Sequence, residues 1–316
     1  MGILFFVLKR LLITIPVLIG MSLLVFSLIH LVPGDPARVM LGLTATPENV
    51  ATLHQQLGLD DPVWRQYLTW LGNILHGDLG TDYRSHEPLT QMLLARLPVT
   101  LELTVLATIF SVLIAIPLGV LGAVRRRGVA DVAGTTVSLL GISLPDFGLG
   151  VLLVLLVSLK LDWLPPSGYR PLSDGVIDNL RYMILPALTL SISMASVLLR
   201  TTRAAMLEVL GQDYVKFARA KGISENLVIA KHALRNASIP IVTVLGLQFG
   251  FLLGGAVIVE SIFSLPGIGR MTLNAVNTRS YPIVQGGILI IGVLFMLVNL
   301  LTDLLYAVLN PRIRYE

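Results

Sequence analysis

The sequence predicts an all-α integral membrane protein: six transmembrane helices, a small helical extracytoplasmic cap and a helical cytoplasmic projection. Three observations predict it. Of 316 residues, 54% are apolar and 13% charged, about half the charge of an ordinary globular chain. The mean hydropathy is +0.81. The apolar residues gather into long runs separated by polar segments. This balance excludes a disordered chain, which needs low hydrophobicity and high charge, and argues against a water-soluble enzyme. Cysteine is absent, which excludes disulfides, thiolate metal sites, iron–sulfur clusters and a Cys nucleophile.

A helix needs about 20 apolar residues to cross a hydrocarbon core about 30 Å thick. Six segments qualify: 11–32, 99–124, 132–159, 182–199, 239–263 and 283–309. The first follows Lys9 and Arg10 as a signal peptide would, but its 22 apolar-run residues exceed the usual core of about 7–15 and no A-x-A site follows. It is expected to be a retained helix. Pro145-Asp146 interrupts the third span, and the fourth is short with Pro186 near its start. Such breaks are tolerated where neighbouring helices or a cavity satisfy the freed backbone groups.

Charge sets the expected orientation. With the N-terminus inside, the inner segments hold Lys9, Arg10, Arg125 to Arg127, seven basic residues from Arg200 to Arg235, Arg312 and Arg314, 14 of the 23 in all. The segment 33–98 carries four basic and seven acidic residues and is not retained by charge. Both termini are therefore expected to be cytoplasmic. The net charge of +4 is read as this loop asymmetry, not as a nucleic-acid footprint.

Two connections are more than linkers. The outer one, 33–98, carries helix signals. Pro47-Glu48 opens 49–57 and Gly58 stops it, and then Trp64, Tyr67, Leu68, Leu71, Ile74 and Leu75 recur at amphipathic spacing. This cap reads equally as a structural lid and as a docking surface for an outside partner. In the inner connection, 200–238, a helix over 201–210 leaves span four and breaks at Gly211. Asp213 is expected to cap 214–221, Gly222 to end it left-handed, and Ser224 with Glu225 to start 226–234, with Pro240 at the entry to span five. Composition alone fits a solvated basic loop. Two short capped helices joined at one glycine instead make a rigid knob suited to a groove in another protein.

Other chemistry finds little support. There is no G-x-x-x-x-G-K-[ST], so no P-loop ATP hydrolysis, and no H-E-x-x-H or G-x-S-x-G. Gly267-Ile268-Gly269 is too slight for a nucleotide fingerprint. His76, Asp78, Asp82 and His86 crowd one outer stretch as metal ligands might be arranged, and as an exposed polar loop often is. Four carboxylates fall within spans, where each is costly. Glu102 is expected in a first helical turn after Pro98, Glu260 near the outer end of span five reaching water, and Asp303 facing other helices beside Asn299. Asp146, at the break in span three, is the first choice for a pathway residue, with an interhelical hydrogen bond as the alternative.

The residues also resemble a known family, the membrane permease subunits of dipeptide/oligopeptide-type ABC importers. Nearly the whole chain carries the resemblance. It runs through Leu31-Val32-Pro33-Gly34-Asp35-Pro36, Leu57-Gly58-Leu59-Asp60-Asp61-Pro62, Gln66-Tyr67-Leu68, Trp70-Leu71-Gly72 and His76-Gly77-Asp78-Leu79-Gly80. It continues in Ala218-Arg219-Ala220-Lys221-Gly222, His232-Ala233-Leu234-Arg235-Asn236-Ala237 and Phe263 to Gly269. The knob is similar to the family's coupling segment, E-A-A-x-x-x-G-x9-I-x-L-P. Aligned on Gly222, the first three positions hold Lys216, Phe217 and Ala218 and the last four His232, Ala233, Leu234 and Arg235, so one Ala, the Gly and the Leu match.

The resemblance implies a type I importer fold and a pathway shared with a second homologous permease. It implies an extracytoplasmic solute-binding protein and two separate ATPase subunits holding ATP and Mg, with no cofactor and no catalytic residue in this chain. It implies a bacterial inner-membrane location and import of dipeptides, oligopeptides, glutathione, nickel complexes or similar solutes. The coupling residues would be Phe217, Ala218, Arg219, Ala220, Lys221, Gly222, Ile223, Ser224, Glu225 and Leu234. Pathway candidates are Asp146, Gly246, Gly250 and Gly254, since glycines allow close backbone approach. The competing reading is a stand-alone ion-coupled transporter or channel.

Overall fold

A computed structural model of the chain describes residues 3–31 and 34–309. Val32 and Pro33 at the end of span one, and Arg312 and Arg314 of the basic tail, lie outside them. The described residues are helical, with one isolated antiparallel bridge between Thr81 and Pro88. The helices run α1 (Ile3–Leu31), α2 (Pro36–Leu41), α3 (Pro47–Leu57), α4 (Val63–Leu75), α5 (Leu89–Val124) and α6 (Val129–Ser143). There follow α7 (Asp146–Leu153) with a π-helical extension to Lys160, α8 (Val176–Leu210) and α9 (Asp213–Ala220). A π-helical turn, Val228–Leu234, joins α10 (Glu225–Leu227) to α11 (Arg235–Ile262), and α12 (Ile268–Thr278) and α13 (Tyr281–Leu309) follow.

Five helical stretches are long and apolar enough to cross a membrane: α1, α5, α8, α10 through α11, and α13. The third span differs from the single interrupted helix expected over 132–159. It is a folded pair, α6 and extended α7, bent by 104° at Leu144-Pro145. Pro145 has no N–H to continue α6 and forces Leu144 into extended backbone (φ −88°, ψ 124°). The helix restarts in a new direction at Asp146. Counting the pair once gives six spans.

Several expected boundaries shift because packing outweighs the local punctuation. Helix α5 begins at Leu89, so Glu102 lies in its interior and not in a first turn after Pro98. Pro240, at the entry to the apolar run, lies inside α11, which begins at Arg235. Gln212, not Asp213, is the N-cap of α9. Glu260 is fully buried where it was expected to reach water.

Contacts divide the chain into two units: Met1–Val7, Leu101–Leu265 and Leu297–Glu316 form one, and Leu8–Thr100 with Pro266–Met296 the other. In the second, Leu89, Leu93, Ile268, Met271 and Ala275 form a core with Ile283 and Val284. A smaller cluster, Ile29, Ala37, Met40 and Leu53, lies beneath α2 and α3. The α3 helix starts at its Thr46 cap, whose side chain accepts from Asn49 N–H at 3.2 Å, and stops at left-handed Gly58 (φ +61°), as its sequence signals require. One edge of α4 packs on α1, with Tyr67 and Trp70 at 5.4 and 5.6 Å from the Phe26 ring, while Trp64, Leu68 and Leu75 stay exposed. Asp35 caps α2 through Ala37 N–H (3.0 Å) and meets His54 Nε2 at 2.9 Å; His54 Nδ1 meets Asp60 at 3.2 Å.

The first unit is built around α8, against which α6, α7 and α11 pack. Hydroxyls let this polar-flecked helix be buried: Thr189 and Ser196 donate to their own helix carbonyls at Leu185 and Ile192, both at 2.8 Å. Small residues bring its neighbours close. A Cβ added at Gly119 of α5 would lie 2.7 Å from Thr202 Cβ and 3.0 Å from Leu199 O. Neither the β-carbon nor the backbone oxygen can swing away. We therefore expect Gly119→Ala to cost about 1–3 kcal/mol, read as a lowered thermal transition of the detergent-solubilised protein.

The carboxylates of Asp35 and then Asp60 hold the His54 imidazole above its ordinary value of 6.5. Burial pushes the Asp35 carboxyl up, but the bonds from His54 and Ala37 outweigh it and leave Asp35 below 3.8. The His54 contribution to stability is therefore full below pH 6.5 and lost as pH rises through its raised value. The Asp35 contribution is full above pH 3.8 and lost as pH falls through its lowered value. Amide exchange in α2 and α3, corrected for intrinsic rates, should be slowest between those limits. His54→Gln should flatten the alkaline arm, by up to about 1 kcal/mol.

Candidate functional site

The segment between α8 and α11 is a compact knob. Val215 and Ala218 of α9 are buried with Val228 against Val209, Leu210 and Ile223, which leaves the opposite face of α9 free. The turn at its end is a complete Schellman closure. Gly222 N–H donates to Arg219 O at 2.9 Å and Ile223 N–H to Ala218 O at 3.3 Å, with Ile223 packed on the same cluster as Ala218. Gly222 takes φ +76°, and a Cβ there would meet nothing within 4 Å. The need for glycine is one of backbone conformation, and the space beside it is open.

Across this turn Arg219 grips Glu225 with two bonds, Nε to Oε2 at 3.0 Å and Nη2 to Oε1 at 2.6 Å. The pair staples the end of α9 to the start of α10. Lys216 Nζ donates to Asp213 at 2.8 Å, holding that carboxyl below its ordinary range, and Asn236 Nδ2 donates to Tyr214 OH at 3.0 Å. Phe217 is 69% exposed and flanked by Lys216, Arg219 and Lys221. Ala220, Lys221, Gly222, Ser224 and Glu225 are exposed too, while Ile223 and Leu234 are partly buried supports. Of those neighbours in sequence, Lys216 is paired with Asp213 and Arg219 with Glu225. The ends of the knob join α8 at Gly211 and α11 through the π-helical turn, so neither end is a slack linker.

The other sequence candidates separate in space. Asp146 opens α7 and is partly exposed at the 104° bend. Gly246 is buried, and a Cβ there would fall 2.2 Å from Thr302; it serves close packing of α11 on α13. Gly250 is buried and Gly254 exposed. Glu102 Oε2 accepts from Tyr169 OH at 3.0 Å, and its Oε1 is buried with no hydrogen-bond partner among the described residues. Burial, and then the Glu102 bond, push the Tyr169 phenol up to about 12. His76, Asp78, Asp82 and His86 do not converge, and among the described residues no cluster fit for a metal forms. Asp82 is instead buried, accepting from Ser280 Oγ and Ser85 Oγ, both at 3.0 Å. Nearby, Arg84, His86 and Arg279 line an open cavity of about 910 Å³, and His86 and Arg279 both hold φ +57°.

One charged pair escapes a reading of spans. Asp131 lies in the first turn of α6, one residue before the expected span, 6% exposed, and its carboxylate takes a two-pronged grip from Arg203 of α8, Nε at 2.5 Å and Nη2 at 3.0 Å. The signal available was Asp131 just after Arg125 to Arg127 and Gly128, an N-terminal-turn carboxylate beside excess cation. Its partner 72 residues away carries no such signal.

Residues 115–315 match the family described as binding-protein-dependent transport system inner membrane component, and residues 3–104 match its N-terminal counterpart. The chain belongs to that family. It is 45% identical over 335 residues to the dipeptide transport system permease protein DppB of Escherichia coli (strain K12), covering 98% of this chain and 99% of that protein. It is 45% identical over 311 residues to the glutathione transport system permease protein GsiC of Salmonella choleraesuis (strain SC-B67), covering 98% and 99%. A solved chain of the MetNI methionine ABC transporter, in inward-facing conformation, shares its fold at a TM-score of 0.58 and 18% identity, over 71% of this chain and 99% of that one. This permease is a multi-pass inner-membrane component of an ABC importer. Its knob and the α6–α7 bend lie in the 115–315 match, and α2 to α4 lie in the 3–104 match.

Proposed function

We propose that this permease forms half of the translocation pathway of an ATP-driven importer of dipeptides or a similar short peptide such as glutathione. The other half is a second homologous permease, and two ATPase subunits supply ATP and Mg chemistry that this chain does not perform. The dipeptide and glutathione relatives support that solute class. The charge asymmetry of the loops supports cytoplasmic termini, an inside knob and an outside cap 33–98, with 99–316 as the permease core and 200–238 its coupling segment. A solute-binding protein delivers cargo on the cap side, where Arg84 and Arg279 line an open cavity with two guanidinium groups.

The knob carries the reading. Its exposed Phe217 suits a groove on an ATPase subunit, with Phe217 to Glu225 at the contact and Leu234 behind it. Helix termini without slack deliver its displacement into α8 and α11. Closure of the ATPase pair on ATP would then rock the bundle, and Asp146 and the exposed Gly254 border the path that changes access. Lipid covers the exposed apolar faces.

Uptake into proteoliposomes holding the full complex and binding protein should require both ATP and the ATPase subunits. Uptake that persists without either would favour an ion-coupled transporter and overturn the proposal. In the same assay Gly222→Leu places a branched side chain at a left-handed position, costing about 1–2 kcal/mol. Transport should fall about tenfold while membrane insertion and ATP hydrolysis persist. Undiminished transport would remove the knob from the mechanism.

A further inference from the structure

Asp131 and Arg203 lie outside the knob and are not among the residues proposed to touch an ATPase. We infer that this ion pair is a positioning clamp: it makes α6 move with α8, so that displacement of the knob arrives at the Pro145 bend. The inference rests on the reading of the knob as the docking element and adds how its motion reaches the gate.

The geometry is that of a clamp. Both Asp131 oxygens are engaged by the planar Arg203 fork, at 2.5 and 3.0 Å, and Oδ2 also accepts Arg127 N–H at 2.9 Å. A two-point grip fixes distance and rotation together, which a single Lys contact does not. Arg203 precedes Gly211 by eight residues, about 12 Å of helix, so the pair sits close to the root of the knob. Asp131 precedes Pro145 by fourteen residues, about 21 Å, so α6 spans from the clamp to the bend.

Between those ends the two helices leave no slack. Asp131, Gly134, Ser138 and Gly141 form one stripe of α6, and Arg203, Leu199, Ser196 and Ile192 one stripe of α8, running antiparallel. A Cβ at Gly134 would touch Leu199 at 3.9 Å, Ser138 Oγ donates to Ser196 O at 2.8 Å, and a Cβ at Gly141 would fall 2.2 Å from Ser196 Oγ and 3.3 Å from Ile192 O. The helix pair is therefore stiff until Leu144, where the backbone turns extended and the chain bends by 104°. Stability alone is a poor account of the clamp, since a well-packed apolar pair commonly does as well as a buried ion pair. What the fork adds is register between the two helices.

The test uses the whole complex, with both ATPase subunits and the binding protein, in proteoliposomes. Arg203→Lys keeps the charge and removes the fork. We expect assembly and ATP hydrolysis within about twofold of the parent, with solute moved per ATP falling at least about fivefold. Because this chain has no native cysteine, spin labels at Ser143→Cys and Asp162→Cys can report the bend. Their separation should change on adding a non-hydrolysable ATP analogue in the parent and stay still in Arg203→Lys. A parent-like ratio and distance change in Arg203→Lys would overturn the clamp. If Arg203→Lys fails to assemble, Asp131→Asn with Arg203→Gln, which leaves no charge, replaces it; failure of that complex too, or parallel loss of ATP hydrolysis and transport, assigns the pair a purely structural role and also overturns it. Failure of the docking reading would show separately, as Gly222→Leu transporting normally.

Discussion

Within hydrocarbon, a backbone N–H or C=O with no partner costs several kcal/mol, so lipid-exposed chain must be helix. Everything distinctive in this permease is a managed departure from that constraint. Pro145 removes a donor and Leu144 turns extended, yet the bend is held where α6, α7 and α11 all pack on α8. The π-helical turns after Leu153 and Leu227 keep their hydrogen bonds while shifting the register of the helices that follow.

Helix α8 is the element these departures share. Two thirds of its apolar window is buried (67%), against 6% for α13. Thr189, Ser191, Ser196 and Thr201 donate to carbonyls of its own backbone, and its neighbours approach through Gly119, Gly134 and Gly141. Its end runs into the knob, and the knob runs into α11, which also packs on α8. A protrusion spliced between two such helices cannot be displaced without moving the unit they form. That continuity suits a lever; a docking loop on flexible arms would dissipate the same motion.

The knob was largely legible in sequence. Glycines at 211 and 222 announce the short helix α9, whereas the second short helix expected over 226–234 instead runs from Glu225 through the π-helical turn into α11 without a break. The Schellman closure at Gly222 is a local motif that local chemistry dictates. The cap helices α3 and α4 were legible for the same reason, through Pro47-Glu48, the stop at Gly58 and an amphipathic repeat. Misreadings came wherever long-range packing sets a boundary. Pro98 looks like a helix start, but α5 runs through it. Glu260 sits near a span end yet is buried. Gly246, a pathway candidate by sequence, lies against Thr302, a contact that only the fold reveals.

The sequence by itself determined the solvent, because apolar runs of membrane length have one low-energy environment, and it determined the family, because motifs along the whole chain are shared with importer permeases. It determined the knob, because turns and caps depend on residues within a few positions of one another. Only the tertiary structure decided that the third span is a folded pair, that α8 is the buried axis and that Asp131 is held by Arg203. Those depend on which helix faces meet, a choice made among surfaces of nearly equal hydrophobicity and settled by steric fit and by pairs of polar groups far apart in the chain.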